Sequence, residues 1–167
     1  YKRQAEYIVS DGKGILAADE SNPTCGKRFD SIGVESTETN RRDYREMLFR
    51  ATGMKDNIGG VILFDETIRQ NAEDGTPLVD LIKNQGALPG IKVDKGLAPL
   101  ESSPDETVTQ GLDGLDERCK EYVSLGAKFT KWRAVIKISD TIPSDECIEA
   151  NMQALAKYAK IVQDNNM

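Results

Sequence analysis

The amino-acid sequence predicts an α/β fold built from four strand–helix units. Short apolar runs alternate with longer segments in which apolar residues recur at helical spacing. The runs at 14–18 and 59–64 are continuously apolar, which is typical of strands buried on both faces of a parallel sheet. A strand followed by a helix, repeated along the chain, favours parallel pairing with right-handed crossovers.

The predicted elements follow from these patterns in chain order. Strands are expected over residues 14–18, 59–64, 90–93 and 129–138. Helices are expected near residues 5–9, 44–51, 77–82, 112–123 and 144–162. Thr76 and Pro77 are expected to begin the third helix as its N-cap and first residue. Gly126 is expected to end the fourth.

Two helices show an apolar stripe from which a buried face can be predicted. The stripe of the second helix consists of Tyr44, Met47, Leu48 and Ala51. Gly53 is expected to end that helix. The stripe of the last helix consists of Ile148, Met152, Leu155, Ala159 and Val162. Ser144 is expected to cap this helix at its N-terminus.

The number of units is compatible with two architectures. Four parallel strands can form a small open sheet with helices on both faces, or half of an eight-unit barrel. The predicted strands begin about 38 residues apart on average, so eight units would need roughly 300 residues, a normal length for a (β/α)₈ barrel. A half barrel would expose two parallel edges, which folded proteins avoid. Spacing alone does not choose between them.

The composition restricts the chemistry of these 167 residues. Acidic side chains outnumber basic ones by 28 to 22, and the net charge of −6 disfavours a nucleic-acid binder. The chain has no histidine, which excludes Ser-His-Asp triads, Cys-His dyads and His-containing zinc sites within it. Three cysteines without a CxxC pair indicate a reducing compartment and buried, inert thiols. No apolar run reaches the length of a membrane span, so we expect a soluble, cytoplasmic protein.

Charged residues interrupt the apolar strands at their carboxyl ends, where α/β folds place active sites. Because side chains alternate along a strand, Lys92 shares a face with Asp94, and Lys131 shares a face with Phe129 and Arg133. Asp19 follows the first strand. We expect these charged side chains to converge on one pocket that can bind phosphate and move protons. The alternative is an ion-paired sheet face without a function.

These residues lie in segments that closely resemble the N-terminal half of class I fructose-1,6-bisphosphate aldolase. The resemblance extends along essentially the whole chain, in the family's order. The matching segments are GILAADES (14–21), GKR (26–28), NRRDYRE (40–46), GGVILFDET (59–67), GIKVDKG (90–96), TQGLDGLDERC (109–119) and KFTKWRAVIKI (128–138).

The resemblance implies a (β/α)₈ TIM barrel, of which residues 1–167 would be a partial domain truncated before the fifth strand. It implies reversible cleavage of fructose 1,6-bisphosphate into dihydroxyacetone phosphate and glyceraldehyde 3-phosphate, without a metal or other cofactor. A lysine forms a Schiff base with the substrate ketone in this family. That lysine belongs to the second half of the barrel, so we expect this chain alone to be inactive.

The resemblance also implies roles for individual residues. Asp19 would contact the substrate hydroxyl that loses its proton, and Lys131 would act electrostatically beside the Schiff base. The implied substrate-binding residues are Glu20, Ser21, Thr24, Arg28, Arg41, Lys92 and Arg133. The chain departs from the family at Asn22-Pro23, where many relatives have Thr-Gly, and the proline removes an amide donor.

The partners that the resemblance implies are a sugar-phosphate substrate, the rest of the barrel, identical subunits in a homotetramer of the full-length protein, and cytoskeletal proteins. Nucleic acid and membranes are not expected as partners. Two other functions remain open: a non-catalytic half-barrel scaffold, and a small phosphate-binding module that uses Lys92, Lys131 and Arg133.

Overall fold

The computed structural model describes residues 2–167. Its strands are β1 (Gly14–Ala18), β2 (Ile58–Leu63), β3 (Leu88–Lys92), β4 (Leu97–Pro99), β5 (Thr107–Thr109) and β6 (Phe129–Lys131). Its α-helices are α1 (Lys2–Ile8), α2 (Asn22–Asp30), α3 (Glu38–Phe49), α4 (Met54–Asn57), α5 (Asp65–Ile68), α6 (Leu78–Asn84), α7 (Leu115–Ser124) and α8 (Asp145–Asp164). Within the described residues, the helices are too short or too polar to cross a membrane.

The main sheet has four parallel strands in the order β1-β2-β3-β6. This topology confirms the predicted parallel pairing of strand–helix units. The register pairs Ala18 with Leu63, Leu63 with Ile91 and, one residue later, Lys92 with Lys131. The carboxyl ends of all four strands therefore lie at one edge of the sheet, where the charged residues were expected.

The fourth strand is shorter than predicted. It ends at Lys131, and residues 132–138 are irregular. Their backbone is held partly by a hairpin of β4 and β5, two strands that were not predicted from the sequence. Thr109 Oγ1 donates to the Arg133 carbonyl at 2.7 Å, and Thr107 Oγ1 donates to the Val135 carbonyl at 3.3 Å. Side chains therefore satisfy carbonyls for which the prediction assumed strand partners.

The hairpin is also attached to the start of α8. Glu106, at the end of the hairpin connection, accepts hydrogen bonds from the backbone nitrogen and the hydroxyl of Ser144, both at 2.7 Å. Asn151 Nδ2 donates to the Thr107 carbonyl at 3.0 Å. These contacts fix the hairpin beside the carboxyl end of β6.

Two glycines of the sheet lie where other groups approach the backbone closely. A Cβ atom on Gly90 would lie 2.3 Å from the Phe129 ring, and one on Gly59 would lie 2.1 Å from the Ile8 carbonyl oxygen. Both distances are far below van der Waals contact. Glycine at 59 thus lets α1 pack against β2, and glycine at 90 makes room for the ring on the neighbouring strand.

The buried face of α3 differs from the predicted stripe. Its buried residues are Arg41, Arg45 and Phe49, whereas Met47 is exposed. The predicted stripe was wrong because it assumed that only apolar side chains are buried. This helix buries two arginines, each of which has an acidic partner. Gly53 does not end α3, which stops at Phe49, but is the N-cap of the short helix α4.

The last helix shows a similar difference. The Ser144 hydroxyl accepts from the Cys147 backbone nitrogen, which confirms the predicted cap. The buried residues of α8 are Cys147, Asn151, Ala154 and Val162. Ile148, Met152 and Leu155, the first three residues of the predicted stripe, are exposed. Val162, the last residue of the predicted stripe, is buried as predicted, and Tyr158 stacks on Trp132 at 5.0 Å between ring centroids.

The remaining helix predictions differ from the structure only in detail. Pro77, expected as the first residue of its helix, is the N-cap of α6. Gly126 follows α7 with a positive φ of 104°, as expected for a residue that ends a helix. The three cysteines are free and buried, as predicted.

Candidate active site

The two edge strands of the sheet contribute an ion pair that spans its concave face. Lys131 Nζ, on β6, donates to Asp19 Oδ2, just after β1, at 2.7 Å. In a flat sheet the outer strands of four would lie about 14 Å apart. The sheet therefore curls toward a barrel, and the curl brings together two residues that are 112 positions apart in sequence.

A second lysine lies beside the first on the neighbouring strand. Lys92 pairs with Lys131 in the parallel register, so both side chains emerge on one face. Lys92 Nζ contacts Asp94 Oδ2 at 2.7 Å and donates to the Asp94 carbonyl at 2.9 Å. Each lysine thus has its own carboxylate, which offsets the repulsion between the two ammonium groups.

Arg133 has its backbone fixed and its side chain exposed. Asp94 Oδ1 accepts from the Arg133 backbone nitrogen at 3.2 Å, and Thr109 Oγ1 donates to its carbonyl. Among the described residues, its guanidinium has no hydrogen-bond or ion-pair partner. Arg133 can therefore bind an anionic ligand without first breaking an internal contact.

A group of polar side chains surrounds Glu20, directly after Asp19. Its carboxylate forms ion pairs with Arg28 and, at 3.5 Å, with Arg45. The Tyr44 hydroxyl donates to Glu20 Oε1 at 3.2 Å. Burial, reinforced by the charge of Glu20, raises the pKa of Tyr44, so this phenol stays a hydrogen-bond donor at neutral pH.

The start of α2 presents two hydroxyls next to this group. Ser21 is the N-cap of α2, and its Oγ lies 3.0 Å from Thr24 Oγ1. The Ser21 side chain does not cap the helix by a backbone hydrogen bond. Both hydroxyls, together with the amide groups of a helix N-terminus, are suited to bind phosphate oxygens.

Arg41 is a predicted site residue whose three guanidinium nitrogens all donate to other protein groups. It is buried, and it donates to both oxygens of Glu66 from Nε at 2.8 Å and from Nη2 at 2.7 Å. Its Nη1 donates to the Ser36 carbonyl at 2.6 Å. Hydrogen bonds from Arg41 lower the pKa of Glu66. These contacts support a role in holding α3 against α5 rather than in touching substrate.

The structure thus brings Asp19, Lys92, Lys131 and Arg133 to one end of the sheet, with Glu20, Ser21, Thr24 and Arg28 beside them. Glu66 and Arg45 also belong to this arrangement and were not among the predicted site residues. Glu66 follows the carboxyl end of β2, and this position alone could have identified it. Arg45 gave no such signal, because its contact with Glu20 depends on how α3 packs.

Comparison with known proteins identifies the family of this arrangement. The family model of class-I fructose-bisphosphate aldolases matches residues 1–167. This chain belongs to that family. A probable class 1 aldolase of Xanthomonas campestris is 54% identical over 163 residues, which cover 98% of this chain and 49% of the relative. The cytosolic fructose-bisphosphate aldolase 6 of Arabidopsis thaliana is 55% identical, with coverages of 98% and 46%.

A solved aldolase structure confirms the predicted architecture. The Plasmodium falciparum enzyme, in complex with TRAP and a small-molecule inhibitor, aligns with a TM-score of 0.95 at 49% identity. The alignment covers 99% of this chain and 48% of that one. The chain thus spans about half the length of the relatives it matches, and its four strand–helix units are half of the family's TIM barrel.

Proposed function

We propose that these residues form part of an enzyme that reversibly cleaves fructose 1,6-bisphosphate into dihydroxyacetone phosphate and glyceraldehyde 3-phosphate. The observation that carries this proposal is the Lys131–Asp19 pair at the carboxyl ends of the strands. It places a carboxylate and an ammonium group within one hydrogen bond on the face where TIM-barrel enzymes bind substrate. Family membership supplies the reaction to which such a pair is suited.

In the proposed mechanism, this chain's residues bind the substrate and move a proton. The Asp19 carboxylate faces the substrate hydroxyl whose proton is lost when the carbon–carbon bond breaks. The Lys131 ammonium, 2.7 Å from that carboxylate, provides positive charge near the reacting atoms. Family resemblance assigns the Schiff-base lysine to the half of the barrel that this chain does not contain.

Phosphate binding is assigned to the surrounding groups. Lys92 and Arg133, at the ends of neighbouring strands, are proposed to bind a phosphate from one side, and Ser21 and Thr24 offer hydroxyls at the start of α2. We propose that Arg28 and Glu20 form the wall between them. Arg41, whose donors are occupied by Glu66 and Ser36, is proposed to act through the position of α3.

A fusion protein tests this function. We define the fusion enzyme as residues 1–167 joined to the part of the Xanthomonas campestris relative that follows its matched segment. It should cleave fructose 1,6-bisphosphate in a coupled assay, and Asp19→Ala should lower kcat by at least about hundredfold. Asp80→Ala is the matched control, since Asp80 forms an exposed pair with Lys83 on α6 and should leave kcat unchanged.

Two results would contradict the proposal. One is turnover close to that of the unmodified fusion enzyme in the Asp19→Ala variant, provided that its melting temperature is unchanged. The other is substrate-dependent borohydride trapping on the 167-residue chain alone, since that would place a Schiff-base lysine within it.

We propose partner binding as a second function. The Plasmodium falciparum aldolase to which this chain aligns was solved in complex with TRAP, which supports a protein-binding surface in the family. Cosedimentation of the fusion enzyme with filamentous actin tests the cytoskeletal partner expected from the family resemblance. Pelleting that decreases with salt is expected, and no pelleting at low salt would reject that partner.

The assembly and location of the whole protein are further proposals. A homotetramer is expected from the family resemblance, and sedimentation of the fusion enzyme would measure it. A cytoplasmic location is supported by the cytosolic Arabidopsis relative. Expression of the complete gene with a fluorescent tag would test it.

A further inference from the structure

Asp94 contacts two of the predicted substrate-binding residues at once, one through its side chain and the other through its backbone. Its Oδ2 pairs with Lys92 Nζ at 2.7 Å, and its Oδ1 accepts from the Arg133 backbone nitrogen at 3.2 Å. The residue is buried, with 8% of its surface exposed. One carboxylate oxygen thus contacts the end of β3 and the other contacts the segment after β6. A buried carboxylate with these two contacts fixes the position of one strand end relative to the other.

The backbone around Asp94 is itself held on several sides. The Val93 nitrogen donates to the Lys131 carbonyl at 3.1 Å, and the Val93 carbonyl accepts from Arg118 Nη1 at 2.9 Å. Gly111, with a φ of 123°, passes so close that a Cβ atom there would lie 3.3 Å from the Asp94 Cα. Asp94 is thus a preformed support and does not depend on a ligand for its position.

The two cations differ in what Asp94 does to them. The Lys92 ammonium is paired directly, whereas Arg133 is held only through its backbone and keeps its guanidinium free. Thr109 Oγ1 holds the carbonyl side of the same residue at 2.7 Å, so Arg133 is fixed from both sides. Asp94 neutralises the Lys92 ammonium, whereas no carboxylate among the described residues pairs with the Arg133 guanidinium, so one positive charge remains for an anionic ligand.

We propose that Asp94 is a positioning residue of this site. Its carboxylate sets the Lys92 ammonium and the Arg133 backbone relative to each other, so that both cations meet one phosphate group of the substrate together. This inference rests on the proposed function and names the group that organises its phosphate recognition. Asp94 itself does not touch the substrate.

The test uses the Asp94→Asn variant of the fusion enzyme. Asparagine keeps an oxygen for the Arg133 nitrogen but presents an amide donor to Lys92, which releases the ammonium group. We expect KM for fructose 1,6-bisphosphate to rise about tenfold, with kcat within about twofold of the unmodified enzyme. The inhibition constant of inorganic phosphate should rise in parallel. Asp80→Asn, at the exposed Lys83 pair, is the matched control and should change neither value.

A second variant covers the case in which Asp94→Asn does not fold. Thr109→Val removes the hydrogen bond to the Arg133 carbonyl with little change in side-chain shape, and KM should rise about threefold. An unchanged KM in every variant that folds would overturn the proposal, as would a fall in kcat with KM unchanged. If the fusion enzyme is inactive but Asp94→Asn weakens phosphate binding by calorimetry, the proposed function fails while the role of Asp94 stands.

Discussion

Replacing Glu66 with glutamine tests whether one buried ion pair holds the helices behind the site. Glu66 accepts from Arg41 Nε and Nη2, and Asn22 Nδ2 donates to the same carboxylate at 3.3 Å. The pair therefore connects α3, α5 and the first residue of α2. In Glu66→Gln the amide nitrogen would face a donor, so at least one of these three hydrogen bonds must be lost.

The size of the stability loss expected in Glu66→Gln depends on how deeply the ion pair is buried. The side chains of Arg41 and Glu66 are 10% and 20% exposed, so solvent screens their interaction only in part. Breaking a fully buried pair costs about 3–5 kcal/mol. Here Arg41 keeps its bond to the Ser36 carbonyl, and glutamine still accepts one bond. We therefore expect a loss of about 2 kcal/mol in the free energy of unfolding.

Urea denaturation of the fusion enzyme, followed by circular dichroism, measures this loss. The pKa of Glu66 is lowered in the folded state by Arg41, so the pair stabilises the fold at pH values above the ordinary glutamate pKa of about 4.3. That contribution disappears as the pH falls through the lowered pKa. The difference between the unmodified enzyme and Glu66→Gln should therefore be complete at pH 7 and shrink below about pH 4.

Two results would contradict the expected effect of Glu66→Gln on stability. A Glu66→Gln variant as stable as the unmodified enzyme at pH 7 would show that the pair contributes nothing beyond its desolvation cost. Asp80→Asn is again the control, since the Asp80–Lys83 pair is about half exposed and its loss should have little effect. A difference that grows as the pH falls would contradict the sign of the argument.

Two further predictions concern packing and the thiols. Gly59→Ala should displace α1 and lower the melting temperature of the fusion enzyme, because the new methyl group would lie 2.1 Å from the Ile8 carbonyl oxygen. Gly14→Ala is the control, since the space around Gly14 is open. Equal melting temperatures for the two variants would show that Gly59 is not needed for the packing of α1. Burial raises the pKa of Cys119 to about 11, so its reaction with a disulfide reagent at pH 8 should be more than about hundredfold slower in the native chain than in urea. Rapid native labelling of Cys119, located by mass spectrometry, would contradict its burial.

The sequence by itself determined the strand–helix order and the charged strand ends. Continuous apolar runs with branched residues are local signals, so β1, β2 and β3 were predicted within about two residues. Strand alternation placed Lys92 with Asp94 and Lys131 with Phe129, because side-chain direction in a strand depends only on the parity of position. The segments that resemble class I aldolases predicted the family, and the match to the aldolase family model confirms it.

Contacts between distant elements could not be predicted in this way. The buried face of α3 contains two arginines. Their partners, Glu20 and Glu66, lie outside this helix, so the sequence of the helix does not predict that the arginines are neutralised. The strands β4 and β5 have three residues each, too few for a periodic signal. Their hydroxyls and Glu106 then decide where β6 ends and where α8 begins.

Only the tertiary structure decided how the charged residues pair. The sequence placed Asp19 and Lys131 at carboxyl ends of strands, but on a flat sheet they would lie too far apart to touch. The curl of the four strands brings Lys131 Nζ to 2.7 Å from Asp19 Oδ2. The packing of the helices pairs Arg41 with Glu66, and the Arg133 side chain stays exposed. Strand formation depends on neighbours in the chain, whereas ion pairing depends on distances that only the assembled sheet and helices fix.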